Sequence, residues 1–272
     1  NKSALLSRLY KVAAMRKLLN RFVIGKKLKK LFGGRLKFFG IGGAPLSDTV
    51  EQFLREAAFP YAVGYGLTET SPVLAGSAPF KTIFRGIGPA FDNVKIRVSE
   101  DGEVQASGDT IMKGYFKDEE LTSKVFTDDG WFKTGDLGSI DEKGNLFIKG
   151  RLKNLILGPA GENIYPEEIE NILKSEPLVS ECLVLKEDNG LVARVFFDDD
   201  KMKQHFEGIA ANISHFNKWK EEMMEALRKS INQKLSGGSR INKIIEQETP
   251  FELTPSLKVK RFLYQKNDNL AW

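Results

Sequence analysis

Leu5, Leu9, Val12 and Leu19 recur near helical spacing, which predicts an amphipathic helix over roughly residues 3–20. Leu36–Ile41 is a short apolar run that ends in Gly42 and Gly43, and it reads as a buried strand entering a loop. Ser47 then stands where a helix N-cap belongs, with Val50, Phe53 and Leu54 forming the helix's apolar face. Tyr61–Tyr65 is a second short strand with a loop behind it. Strand, loop, helix, strand is the order of a parallel α/β sheet, and ligands in such sheets sit beyond the carboxyl ends of the strands.

The texture changes from about Ser77 to Gly150. Val94–Val98, Gly102–Ala106 and Asn145–Ile148 are short runs separated by the turn pairs Asp101-Gly102, Asp129-Gly130 and Lys143-Gly144, which predicts antiparallel strands in a small barrel or sheet. Past Arg151 it changes again. Pro166 occupies a first helical position, with Glu167 and Glu168 near the positive end of the helix dipole and Ile169, Ile172 and Leu173 as the buried stripe. Val179–Leu185 and Leu191–Phe197 form an expected hairpin turned at Asp188-Asn189-Gly190. A helix follows over Asn217–Leu235, where Trp219, Met223, Leu227 and Ile231 recur every four residues, and Ile241–Ile245 is a further strand. The expected fold class is α/β and α+β. Residues 1–76 would end a parallel α/β subdomain, 77–150 would form a small β-barrel-like subdomain, and 151–272 an α+β domain.

Composition narrows the function classes. At 272 residues the chain exceeds one ordinary domain, and an apolar fraction of 41% leaves enough for real cores. No apolar run approaches the roughly 18 to 20 residues needed to cross a bilayer, and no signal-peptide pattern opens the chain. A lone cysteine, Cys182, excludes an internal disulfide framework, suits a reducing cytoplasm and reads as a small core hydrophobe. The net charge of +5 owes much to the first 40 residues, where Gly25–Phe32 reads GKKLKKLF. That basic amphipathic segment suits a peripheral membrane contact or a phosphate-bearing ligand; the plainer alternative buries its apolar edge and leaves its lysines in water. Nucleic-acid binding is not expected, because acidic stretches offset the basic ones and no recognised motif is present. A chain that begins at Asn1 and runs straight into helix-like sequence reads as a piece of something longer.

Four loops carry candidate chemistry, each with an ordinary alternative. Gly42-Gly43-Ala44-Pro45 lets a flat ligand approach backbone, or is a plain strand-to-helix turn. Gly64-Tyr65-Gly66-Leu67-Thr68-Glu69-Thr70 sets a hydroxyl beside a carboxylate, as Mg²⁺ with a phosphate substrate requires, or caps a helix with Thr68. Thr134-Gly135-Asp136 places a carboxylate after a flexible turn, suited to a ribose diol or simply to turning the chain. Gly150-Arg151-Leu152-Lys153 offers a guanidinium to phosphate or ribose oxygens, or is a solvated linker.

Together and in this order, these loops resemble the adenylate-forming superfamily of acyl-CoA synthetases, luciferases and peptide-synthetase adenylation domains. The matching segments are GGAPLS at 42–47, YGLTETSPV at 65–73, GWFKTGDLG at 130–138, GRLKNLILGPAGENIYPEEIE at 150–170 and LTPSLKVKR at 253–261. The segments GGRLKFFGIGGAPLS, ENIYPEEIE and TPSLKVKR look most like long-chain fatty acid–CoA ligases. The resemblance implies that Thr68 contacts phosphate and Glu69 ligates Mg²⁺. It implies that Gly43, Ala44 and Pro45 line the adenine pocket with Tyr65 stacked on the base and Gly66 beside it, and that Asp136 and Arg151 hold the ribose. Lys153 would be the hinge of a mobile carboxyl-terminal lid, and Lys258 the lysine that steadies the acyl-adenylate transition state.

The implied reaction joins a fatty acid to ATP as acyl-AMP, then transfers the acyl group to CoA. Asn154 departs from the Asp that often follows the hinge, and Leu257 stands where Gly usually precedes the lysine. The family's phosphate-clamping loop has no counterpart in residues 1–41, so the isolated chain is expected to be inactive. Two readings compete: adenylation of another carboxylic or amino acid, and a nucleotide-sensing or membrane-associated module without catalysis.

Overall fold

The computed structural model describes residue 10 and residues 12–187, 190–206, 213–255 and 258–265. The chain divides into two compact units, Asn1–Leu152 and Lys153–Trp272.

The first unit opens with a helix that outruns its expected end. α1 (Ala13–Leu19) widens into a π-helical turn over Asn20–Ile24 and continues as α2 (Gly25–Leu31). Leu5 and Leu9 lie outside the described residues. Of the rest of the expected apolar stripe, Val12 is 56% exposed and Leu19 is half-buried, whereas Asn20 is buried. Its amide donates to Glu56 Oε2 at 2.7 Å and its oxygen accepts from the Tyr10 hydroxyl at 2.9 Å. Arg16 donates to the same carboxylate through Nε and Nη2. At Gly25 a Cβ would fall 2.3 Å from the Ala57 carbonyl oxygen, so the backbone contact made there requires glycine. Charge-assisted bonds and a close backbone contact thus help to anchor the helix.

Beyond α2, Phe32 meets Phe39 and Phe59 edge-on, at centroid distances of 5.4 and 5.6 Å. Leu28 packs on the same cluster, while Leu31 is exposed. β1 (Phe39–Ile41) and β2 (Tyr61–Tyr65) pair in parallel around α3 (Asp48–Glu56). Ser47 caps α3 by accepting from the Val50 amide, as the sequence indicates. Leu54 is buried, but Val50, expected on the same face, is largely exposed. β3 (Ala75–Gly76) adds antiparallel to β2.

β4 (Val94–Val98), β5 (Glu103–Gly108), β6 (Phe132–Ile140) and β7 (Leu146–Arg151) follow as an antiparallel sheet in that order. A short α4 (Glu119–Lys124) interrupts them, capped by Asp118. Its single apolar position, Leu121, gives too little periodicity to announce a helix.

The second unit is α+β. β8 (Ile156–Leu157) and β9 (Asn163–Ile164) form a small hairpin before α5 (Pro166–Lys174), which starts on Pro166 as expected. β10 (Val179–Glu187) and β11 (Gly190–Phe197) are antiparallel; Asp188 and Asn189 of their turn lie outside the described residues. α6 (Asp199–Phe206) and α7 (Ile213–Asn232) lead to β12 (Ile241–Glu246), which pairs with β11 in parallel. Ile169, Leu173, Cys182, Val184, Val195 and Ile231 are buried together, with Trp219, Met223 and Leu227 packed against them. Cys182 is a core hydrophobe, and burial pushes its thiol well above its ordinary range. No helix among the described residues is long and apolar enough to cross a membrane.

Ile231→Ala should destabilise the second unit by about 2–5 kcal/mol; urea unfolding followed by Trp219 fluorescence checks this, and a loss below about 1 kcal/mol would count against the packing described. A second expectation concerns acid. Hydrogen bonding from Arg16 holds the Glu56 carboxyl below its ordinary range. Its contribution is therefore present above the unfolded carboxylate pKa and is lost as pH falls through the lower folded value. Amide exchange in α1 should rise selectively at acid pH, and Glu56→Gln should flatten that dependence.

Candidate active site

Two loops leave the carboxyl ends of adjacent parallel strands. Gly42-Gly43-Ala44-Pro45 follows β1, with Gly43 at φ 81°. Gly66–Thr70 follows β2, and a Cβ at Gly66 would fall 2.0 Å from the Pro72 carbonyl oxygen. The chain therefore doubles back tightly, returning through the bond from the Leu74 amide to the Tyr65 carbonyl at 2.7 Å.

Within the loop, Thr68–Thr70 forms a 3₁₀ turn. Thr68 does not cap it, contrary to the alternative read from the sequence. Thr70 does: its buried hydroxyl accepts from the Leu67 amide and donates to the Leu67 carbonyl, both at 2.9 Å. Thr68 is exposed instead. Glu69 accepts from the Tyr115 hydroxyl on Oε1 at 3.0 Å, and its carbonyl accepts from the Met112 amide at 2.8 Å.

Asp136 is placed by a bulge within a strand, where the sequence suggests a flexible turn. Glu103 stands opposite Leu137 and Gln105 opposite Lys133, so Thr134, Gly135 and Asp136 together face Val104 alone. Gly135 takes φ 69°. The freed groups are bonded locally: Thr134 Oγ1 donates to the Val104 carbonyl at 2.7 Å and accepts from the Asp136 amide at 3.1 Å. The Gly135 amide donates to Glu103 Oε1 at 2.9 Å, which accounts for that buried carboxylate.

The bulge sets Asp136, 6% exposed, against two donors. The Tyr65 hydroxyl donates to Oδ2 at 2.7 Å. Arg151, directly opposite in the β6–β7 register, places Nε 2.9 Å from Oδ1. Its Nη1 reaches the Thr134 carbonyl at 3.4 Å. Burial, and then the Asp136 carboxylate beside it, raise the Tyr65 phenol far above its ordinary range, so it stays a donor.

The first unit thus gathers Tyr65, Asp136 and Arg151 into one network. Glu69 lies four residues beyond Tyr65 and is steadied by Tyr115, while Gly43–Pro45 leave the same end of the parallel pair. Tyr115, Glu103 and Met112 carry no signal of their role in the sequence. Their contacts depend on which strands pair, and nothing in local spacing marks them.

In the second unit, Lys153 falls within the 3₁₀ turn Leu152–Asn154, and Asn154 donates to Glu167 Oε1 at 2.6 Å. Lys258 is exposed on a loop closed by two bonds: the Lys258 amide donates to Thr254 Oγ1 at 3.1 Å, and the Thr254 amide to the Lys258 carbonyl at 2.8 Å. Leu257 lies outside the described residues.

Chemically, Asp136 offers a fixed carboxylate suited to paired hydroxyls, and Arg151 a planar donor fork. Among the described residues, no group of three His, Cys, Asp or Glu side chains could hold a metal ion by themselves. Glu69 nonetheless fits Mg²⁺ bound through one carboxylate, water and substrate phosphates.

A parallel strand pair with paired glycine loops, an antiparallel sheet carrying a buried Asp paired with an Arg, and an α+β unit are the parts of the adenylate-forming enzyme fold. A family model described as AMP-binding enzyme matches residues 7–116. The chain is 32% identical over 254 residues to long-chain-fatty-acid–CoA ligase FadD15 of Mycobacterium bovis, covering 88% of this chain and 42% of that protein. It is 32% identical over 193 residues to 2-succinylbenzoate–CoA ligase of Listeria monocytogenes, covering 65% of this chain and 41% of that one. The solved structure of ATP-bound MatB from Rhodopseudomonas palustris superposes with a TM-score of 0.67 at 25% identity, covering 92% of this chain and 48% of that one. The chain carries an AMP-binding enzyme family domain and spans less than half the length of these relatives.

Gly135→Ala should cost about 1–2 kcal/mol, because only the left-handed backbone opposes it; a Cβ there would meet nothing nearer than Arg151 Nη1 at 3.9 Å. Gly135→Asn should cost less, since Asn visits that region more readily. Thermal melts compare the two, and equal losses would contradict a purely conformational cause.

Proposed function

We propose that this chain forms part of an ATP-dependent acid–CoA ligase whose acid is a long-chain fatty acid. The observation that carries the reading is the Tyr65–Asp136–Arg151 network beside the loop bearing Thr68 and Glu69. In this reading Asp136 accepts from the ribose hydroxyls while Arg151 donates to ribose or phosphate oxygens. Gly43, Ala44 and Pro45 border the adenine, Tyr65 lies against it with Gly66 alongside, and Thr68 donates to phosphate. Glu69 would hold Mg²⁺, which when bound would supply neutralising charge to the phosphates.

The reaction has two steps. A carboxylate oxygen of the acid attacks the α-phosphorus, and the bond to pyrophosphate breaks. The CoA thiol then gives up its proton and attacks the acyl carbon, expelling AMP. Lys258 serves the first step by placing an ammonium against charge that grows on the α-phosphoryl oxygens. It has to leave for the second, which makes Lys153 the turning point between the two states.

Long-chain preference rests on the likeness to ligases such as FadD15; the 2-succinylbenzoate ligase likeness supports the rival reading of a different carboxylic acid. Membrane contact through Gly25–Phe32 is not part of the proposal, because Leu28 and Phe32 pack on the core of their own unit.

Lys258→Ala in the full-length protein should slow acyl-adenylate formation on the order of 10²–10³-fold, while thioester formation from supplied acyl-AMP is spared. Pyrophosphate exchange and thioester assays separate the steps, and equal loss of both would count against the role. A panel of acids on the same protein should favour long acyl chains over aromatic acids; the reverse order would exclude the fatty-acid assignment.

A further inference from the structure

The segment that presents Lys258 is fastened to the second unit by a buried ion pair the proposed reaction does not itself use. Glu170 on α5 and Arg261, three residues beyond Lys258, have side chains only 10% and 12% exposed. Arg261 Nη2 donates to Glu170 Oε1 at 2.6 Å. Both also hold the same residue of β10: the Val184 amide donates to Glu170 Oε1 at 2.7 Å, and Arg261 Nη1 donates to the Val184 carbonyl at 2.8 Å. Among the described residues β10 is an edge strand, paired on one side with β11. Val184 therefore has peptide groups left over by the ladder, and the pair satisfies them. Desolvation pushes the Glu170 carboxyl up, against the pull of Arg261.

Contacts on both sides of Lys258 make the segment a unit. Phe251 is buried against Leu183 and Leu185, and its ring meets Tyr264 edge-on at 5.0 Å. The Glu252 amide donates to the Tyr264 hydroxyl at 2.9 Å, and Leu253 bridges Val259. These bonds shape the loop. The Glu170–Arg261 pair sets where that loop sits on the sheet edge.

We infer that Glu170 and Arg261 are positioning residues for Lys258, fixing the register of residues 251–264 on β10 so that the ammonium occupies one place. Apolar side chains of similar volume would hold the segment as firmly. Directional bonds to a single peptide also specify where it sits. The inference rests on the proposed role of Lys258 in acyl-adenylate formation.

The test uses the full-length protein and four variants: Lys258→Ala, Glu170→Gln, Arg261→Ala and Arg261→Lys. Glu170→Gln keeps an acceptor for the Val184 amide but removes the charge facing Arg261. It should lower the kcat of acyl-adenylate formation about tenfold or more. Thioester formation from supplied acyl-AMP should stay within about twofold. Deuterium exchange at the Thr254 and Lys258 amides should rise. Arg261→Ala should show the same split, with millimolar guanidinium restoring part of the first step, and Arg261→Lys should fall between it and the parent.

If Lys258→Ala abolishes adenylation while Glu170→Gln and Arg261→Ala leave rate and exchange unchanged, the positioning role is wrong and the wider reading stands. If Lys258→Ala is harmless, the reading beneath it fails. Equal loss of both half-reactions, with no guanidinium rescue and a lowered melting temperature, would reduce the pair to a fold-stabilising role and overturn the inference.

Discussion

A carboxylate drawn out of water must be matched by donors, and the first unit is arranged around meeting that demand at Asp136. Three strand residues set against one turn the side chain inward, and Gly135 supplies the backbone conformation the bulge needs. Tyr65 arrives from the parallel strands and Arg151 from the neighbouring antiparallel strand. The bulge, the tight return after Gly66 and the β6–β7 register are therefore mutually dependent. A shift of one residue in any of them would leave a buried charge with one donor too few.

The same logic fastens other elements whose apolar patterns are weak. Asn20, Arg16 and Glu56 secure the opening helix where its apolar residues face outward. Glu170 and Arg261 secure the segment carrying Lys258 against a strand edge. In both places a shared carboxylate collects several donors, so position is set by geometry as well as by burial.

This division explains what could be read in advance. In the second unit α5, the β10–β11 hairpin, α7 and β12 are legible because they carry clean signals, such as Trp219, Met223, Leu227 and Ile231 for α7 and Pro166 with its acidic neighbours for α5. The short β8–β9 hairpin and α6 carry none. The parallel pair was legible for the same reason. The opening helix is legible as a helix, but its anchor is not, because periodicity registers apolar residues and says nothing of a buried asparagine. Thr134–Asp136 does not announce a bulge because Thr-Gly-Asp has turn composition wherever it occurs; only the pairing of Glu103 with Leu137 makes it one. Individual site residues stood out through motif order. Their partners Tyr115 and Glu103 did not, since neither sits near its contact in sequence.

The parallel pairing of β12 with β11 has a consequence for how the second unit comes into being. Leu191 meets Ile241 only after the intervening helices have been spanned, so the sheet cannot close through local contacts. During synthesis the α5 helix and the β10–β11 hairpin emerge first, with the β11 edge that β12 will fill still open. Completion is a late, long-range event, and the order of translation makes the segment bearing Lys258 among the last parts of the unit to gain a place to rest.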